Sequence, residues 1–112
     1  LQDKALKWLY NRGYVVASEV TLPNGKRADA IGYNEQGHIV IVEAKASTAD
    51  FLYGDKWESY LEYSDEFYFV LDKSIPLFVY HEKIDKRTGL LKENKNALVI
   101  QETHAIEHTA KE

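Results

Sequence analysis

The run Ile39-Val-Ile-Val-Glu43-Ala-Lys45 constrains the fold of this chain more than any other segment. Four successive β-branched residues are stiff about χ1 and pack well on a pleated surface, and an unbroken apolar run leaves no side for water. Residues 38–45 therefore read as an interior strand, covered on both faces and in need of neighbours. The run ends in Glu43 and Lys45, which are two apart and so emerge on one face. Charged groups at the end of the most apolar strand are costly unless paired, exposed or bound to a metal.

The remaining sequence supplies what such a strand needs. Leu1, Ala5, Trp8 and Leu9 recur at helical spacing and Gly13 follows as a left-handed terminator, so an opening amphipathic helix is predicted to end near Arg12. Residues 14–22 and 27–33 are extended runs joined by Pro23-Asn-Gly25, and a turn from Asn34 to Gly37 leads into 38–45. Three strands should meander antiparallel. Beyond Lys45, Ser47 and Asp50 resemble a capping box, Trp57, Tyr60 and Leu61 mark a helical face, and Gly54 divides the segment into two short helices. A crossover of that length makes 67–71 a strand parallel to the third, with a right-handed connection. Residues 75–84 fit either an edge strand or a short helix begun by Pro76, with helix preferred; 89–92 and 97–101 form a terminal hairpin. The expected architecture is α/β, in the sense of an α+β mixed sheet, and 112 residues correspond to one domain over 1–112.

Charge narrows the function classes. A formal net charge of -4 argues against a protein whose whole surface is a cationic sleeve for nucleic acid, so any phosphate contact must be local. No apolar stretch approaches the roughly 20 residues that span a bilayer, and no basic-then-apolar pattern opens the sequence. Cysteine is absent, which excludes disulfides and zinc-thiolate sites. A soluble, cytoplasmic protein without a membrane partner is expected.

Hairpin register points to a site. A Glu-x-Lys spacing means little alone, since Glu93-Asn94-Lys95 repeats it in an expected loop. If a three-residue loop covers Pro23 to Gly25, however, Leu22 faces Lys26 and Glu19 falls opposite Asp29. If Glu35 to Gly37 forms the next, Asn34 faces His38 and Asp29 falls opposite Glu43. Like charges placed opposite one another destabilise a sheet, so three aligned carboxylates imply a hard divalent cation, Mg2+ or Mn2+, gathering oxygen ligands. The competing reading is a solvated face on which Lys45 balances Glu43, worth at most about 1 kcal/mol.

These residues also resemble a known pattern. Glu19-Val-Thr-Leu, Gly25-Lys-Arg-Ala-Asp29, Ile39-Val-Ile-Val-Glu43-Ala-Lys45, Asp50-Phe51 and Asp55-Lys56-Trp57 with Tyr60 occur in the order found in the MmcB-like, DNA-repair-associated family of the PD-(D/E)XK nuclease superfamily. The resemblance runs from the opening helix through Phe67-Tyr-Phe69 to about Leu71, with Ala28 where the superfamily usually has proline. It implies a restriction-endonuclease-like core: N-terminal helix, three-stranded antiparallel meander, crossover helix and further strands. It also implies that Asp29, Glu43 and Lys45 are catalytic, and that Asp29, Glu43 and the backbone carbonyl of Ala44 hold Mg2+ or Mn2+; Glu19 is a further candidate ligand on the hairpin register alone. The implied reaction is hydrolysis of DNA phosphodiester bonds by a repair-associated endonuclease. The alternative on the same fold is a non-catalytic DNA-binding or partner-recruiting module, because fold alone does not decide activity. DNA is the expected partner; protein partners in repair and a homo-oligomer are compatible with either reading.

Other side chains carry weaker signals. Lys56 and Tyr60 follow the Glu43 strand and are candidate DNA contacts, as Asp50 and Asp55 are candidate site neighbours, although capping, ion pairing and core packing account for each. Trp57 reads as core. Of the four histidines only His104 and His108 have ligand-like spacing, and a solvated tail explains them.

Overall fold

The structure, a computed structural model, describes residues 1–54, 56–84 and 88–103. Asp55, and the expected His104 and His108 pair on the polar tail, lie outside the described residues. The chain opens with helix α1 (Gln2–Asn11) and continues through strands β1 (Val15–Thr21), β2 (Arg27–Tyr33) and β3 (Ile39–Lys45). Helix α2 (Thr48–Tyr53) and a 3-10 segment (Trp57–Tyr63) then cross to β4 (Glu66–Leu71), helix α3 (Leu77–Lys83) leads to β5 (Gly89–Asn94), and β6 (Ala97–Glu102) follows. The six strands form one sheet in sequence order. β1–β2, β2–β3 and β5–β6 are antiparallel, whereas β3–β4 and β4–β5 are parallel, so the sheet is mixed as expected. No helix among the described residues is long and apolar enough to cross a membrane.

Alternation along β3 and β4 sorts the core into two layers. Val40, Val42, Tyr68 and Val70 meet Ala5 and Leu9 of α1 on one face. Ile41, Phe67 and Phe69 meet Phe51, Trp57, Tyr60 and Tyr80 from α2, the 3-10 segment and α3 on the other. The second layer is aromatic, with Phe67 and Phe69 edge to face at 5.1 Å and Tyr60 stacked on Phe67 at 5.7 Å. Each ring so buried contributes roughly 1.5–3 kcal/mol of transfer free energy, which makes this layer the main anchor of the crossover. Glu43 and Lys45 are in step with Ile41 and therefore open onto the α2 side.

Local chemistry sets the boundaries. Ser47 caps α2, its hydroxyl accepting from Asp50 N–H at 3.1 Å, while the Asp50 carboxylate accepts from Ala46 N–H at 3.1 Å. These two contacts end β3 and start α2 within two residues. The second half of the crossover departs from the expected α-helix. It is a 3-10 segment, which buries Trp57, Tyr60 and Leu61 together. The terminal hairpin is also tighter than expected. Asn94 pairs with Ala97, leaving a two-residue loop, and Lys95 takes the left-handed conformation (φ 60) that such a loop demands.

Candidate functional site

Both hairpin loops close as the residue types require, with Leu22 N–H donating to the Lys26 carbonyl at 2.8 Å and Asn34 N–H to that of His38 at 3.2 Å. The β2–β3 ladder then runs from Tyr33↔Ile39 to Ala30↔Val42. One step further on, Asp29 and Glu43 meet, and side chains replace the backbone ladder. Asp29 N–H donates to Glu43 Oε1 at 2.9 Å and Ala44 N–H donates to Asp29 Oδ2 at 2.9 Å. The two carboxyl groups thus bridge the strands reciprocally where the sheet begins to part.

Burial gives the pair its electrostatic character. Glu43 is 5% exposed and Lys45 9%. Desolvation drives the Glu43 carboxyl up to about 8, only partly opposed by the Asp29 N–H bond. The Asp29 carboxylate pushes it further up and the Lys45 ammonium pulls it back. At neutral pH Glu43 is therefore mostly a neutral acid beside Asp29. Lys45 Nζ is directed away toward α2, 3.9 Å from Asp50 Oδ1. It also lies against Gly54, where a Cβ would come within 3.1 Å of Nζ and 2.4 Å of the Asp50 carbonyl oxygen. Glycine at 54 thus leaves room for the ammonium. Lys83 approaches the same region from α3, donating to the carbonyls of Phe51 and Leu52; burial, and then the charge of Lys45, lower its pKa.

The other sequence candidates are dispersed. Glu19 does not join the pair: it adopts φ 53 and its carboxylate is exposed, 3.8 Å from Arg27. The count of residues does place it opposite Asp29, between Val20↔Ala28 and Ser18↔Ala30, but the left-handed backbone takes it out of the ladder. Tyr60 is 2% exposed and its hydroxyl donates to the Arg27 carbonyl at 3.1 Å, so it belongs to the core and not to a DNA-facing surface. Lys56 is exposed and lines a cleft of about 410 Å³ with Tyr53, Gly54, Trp57 and Lys83. Asp50 caps α2. One supporting residue escaped the sequence reading: Gln2 Nε2 donates to the Asp29 carbonyl at 2.9 Å, bracing the acid strand from α1. Its only prior signal was its place at the start of an amphipathic helix.

A second polar cluster forms at the far end of β3, where His38 Nε2 lies 2.6 Å from Glu66 Oε2 and Tyr68 donates to Glu66 Oε1 at 2.7 Å. Burial works to raise the Glu66 pKa, but these hydrogen bonds and the His38 charge prevail and lower it. The cluster ties the starts of two parallel strands together.

The donor set at Asp29 and Glu43 can be compared with the needs of a hard cation. Two carboxylates and the Ala44 carbonyl are all oxygen donors, the class that Mg2+ and Mn2+ prefer, and Mg2+ often takes only one or two carboxylates with water and phosphate completing its shell. The fit is in kind only. One oxygen of each acid already serves a backbone N–H, and among the described residues no group of three or more histidine, cysteine, aspartate or glutamate side chains is placed to hold a metal ion.

A family profile described as DNA repair protein MmcB-like matches residues 2–109. The structure is similar to that of the SPO1766 protein of unknown function from Silicibacter pomeroyi, with a TM-score of 0.74 and 28% identity over 96% of this chain and 72% of that one. No curated protein matches this sequence.

Proposed function

The chain belongs to the MmcB-like family of DNA-repair proteins, and from that premise we propose that it serves repair as a non-catalytic DNA-binding module on a restriction-endonuclease-like core. The observation that carries this reading is the reciprocal bridge between Asp29 and Glu43. Each carboxyl group satisfies a backbone N–H of the facing strand, and Glu43 is held mostly neutral at pH 7. Acids engaged in this way close the parted end of the sheet, with one oxygen of each already in use.

A second reading, a metal-dependent endonuclease, is favoured by the burial of Glu43 and Lys45, because two ionisable groups so placed cost stability that a purely structural site would avoid. On that reading Asp29, Glu43 and the Ala44 carbonyl would hold Mg2+ or Mn2+, which supplies Lewis acidity and an acidified water when bound. Lys45, with donors and no acceptor, would steady negative charge on a phosphate without ligating the metal.

Cleavage of single-stranded, duplex and branched DNA with Mg2+ or Mn2+, run beside Asp29→Ala, separates the two. The non-catalytic module binds DNA and leaves it intact in both proteins. Metal-dependent cleavage by the native protein that disappears in Asp29→Ala would overturn this reading and install the endonuclease.

A further inference from the structure

The face of the sheet opposite Glu43 and Lys45 carries a feature that the acid pair does not explain. α1 and the tip of the β5–β6 hairpin enclose a cleft of about 230 Å³ lined by Lys4, Lys7, Trp8, Asn11, Arg12 and Asn96, together with Ala97 and Leu98. In a chain of net charge -4, each ionisable side chain in that lining is a cation. Lys95, exposed at the hairpin tip next to Asn96, adds a fourth. Three carboxylates lie close by: Glu93 of β5 pairs with Lys4, Asp3 stands beside it on the helix, and Glu66 of β4 is near enough to Arg12 to feel its charge. Lys7 has no ion pair among the described residues, and the Arg12 guanidinium is held 4.7 Å over the Trp8 ring. That ring is itself fixed edge-on to Tyr68 at 5.1 Å. A cation stacked on an immobilised indole has less rotamer freedom to lose on meeting an anion.

We infer that this cleft is a binding site for the sugar-phosphate backbone of DNA, with Lys7 and Arg12 meeting phosphate oxygens and Asn11 and Asn96 donating from either wall. Its size argues for a backbone group, since sites for whole cofactors or small molecules usually run from about 300 Å³ upward. The chemistry argues likewise: amides beside cations are the usual phosphate-contacting set, whereas base readout would require a helix or strand face free to enter a groove. The inference rests on the DNA-binding reading above and gives it a surface on the face opposite Glu43 and Lys45.

The test is fluorescence anisotropy with labelled single-stranded and duplex oligonucleotides, titrated at several NaCl concentrations. The proteins are the native chain, a Lys7→Glu/Arg12→Glu double variant, and a Lys73→Glu/Lys92→Glu control with the same change in charge at exposed positions outside the cleft. Circular dichroism verifies that both variants are folded. Replacing two charge-assisted contacts should weaken binding by about tenfold or more in the first variant. The slope of log affinity against log salt should shrink by about 0.7–0.9 for each lost phosphate contact. The control should stay within a few-fold of native. Trp8 fluorescence should also respond to DNA in the native protein. Equal losses in both variants, or native affinity in the first, would overturn the cleft assignment while leaving a DNA-binding module with its surface elsewhere. A native protein that binds neither oligonucleotide, or that binds polyglutamate as tightly as DNA, would sink both the cleft and the DNA-binding reading.

Discussion

The neutral state of Glu43 can be tested directly by Glu43→Gln. Glutamine keeps a carbonyl oxygen to accept from Asp29 N–H at nearly the same volume, but it cannot ionise. In the native protein the carboxyl stands at about 8, against 4.5 for the free group. A raised acid favours the folded state while protonated, so its contribution is complete below about pH 4.5 and is lost as pH rises through about 8. At about 1.4 kcal/mol per pH unit the whole span is worth about 5 kcal/mol, most of it falling between pH 5 and pH 8. Urea unfolding of both proteins from pH 5 to pH 8 reads this difference. Native stability should fall relative to Glu43→Gln by about 1 kcal/mol or more per pH unit, and the variant should be the more stable protein at pH 8. With urea m-values of about 1–3 kcal/mol/M, that displaces the midpoints by about 1 M or more. Parallel pH profiles for the two proteins would refute the reasoning. Glu43 would then be solvated or already ionised, and the bridge to Asp29 would be a weak surface contact.

Three further outcomes follow from contacts around the pair. Lys45→Met keeps the buried stem but removes the charge that favours Glu43 ionisation, so the Glu43 carboxyl should titrate above its native value of about 8 in carbon-13 NMR; a lower value would mean that Lys45 does not face it. Gly54→Ala drives a methyl group to 2.4 Å from the Asp50 carbonyl oxygen and should destabilise the fold by about 1–3 kcal/mol in urea, whereas a neutral effect would place the end of α2 differently. Ser47→Ala deletes the α2 cap and should cost about 1 kcal/mol by the same measurement, with Ser47→Asp recovering most of it.

Much of this molecule could be read from local chemistry. Alternation, β-branching and turn residues were enough to place α1, the meander and the parallel return of β4, since each depends on neighbours a few residues apart. The meeting of Asp29 with Glu43 was also legible, because hairpin register follows from the loop and the side chains alternate with period two. Tertiary structure alone decided the rest. The count of residues sets Glu19 opposite Asp29, yet a left-handed φ turns it out to Arg27, and no residue type at 19 announces that. Tyr60 enters the core because its ring finds Phe67 and its hydroxyl the Arg27 carbonyl, 33 residues away. Gln2 reaches Asp29 over 27 residues, and α1 meets the β5–β6 tip to gather Lys7, Arg12 and Asn96 around one cleft. The same distinction governs the chemistry. Sequence determines which groups can ionise, whereas Glu43 is neutral only because packing removes water from it and brings another carboxylate alongside.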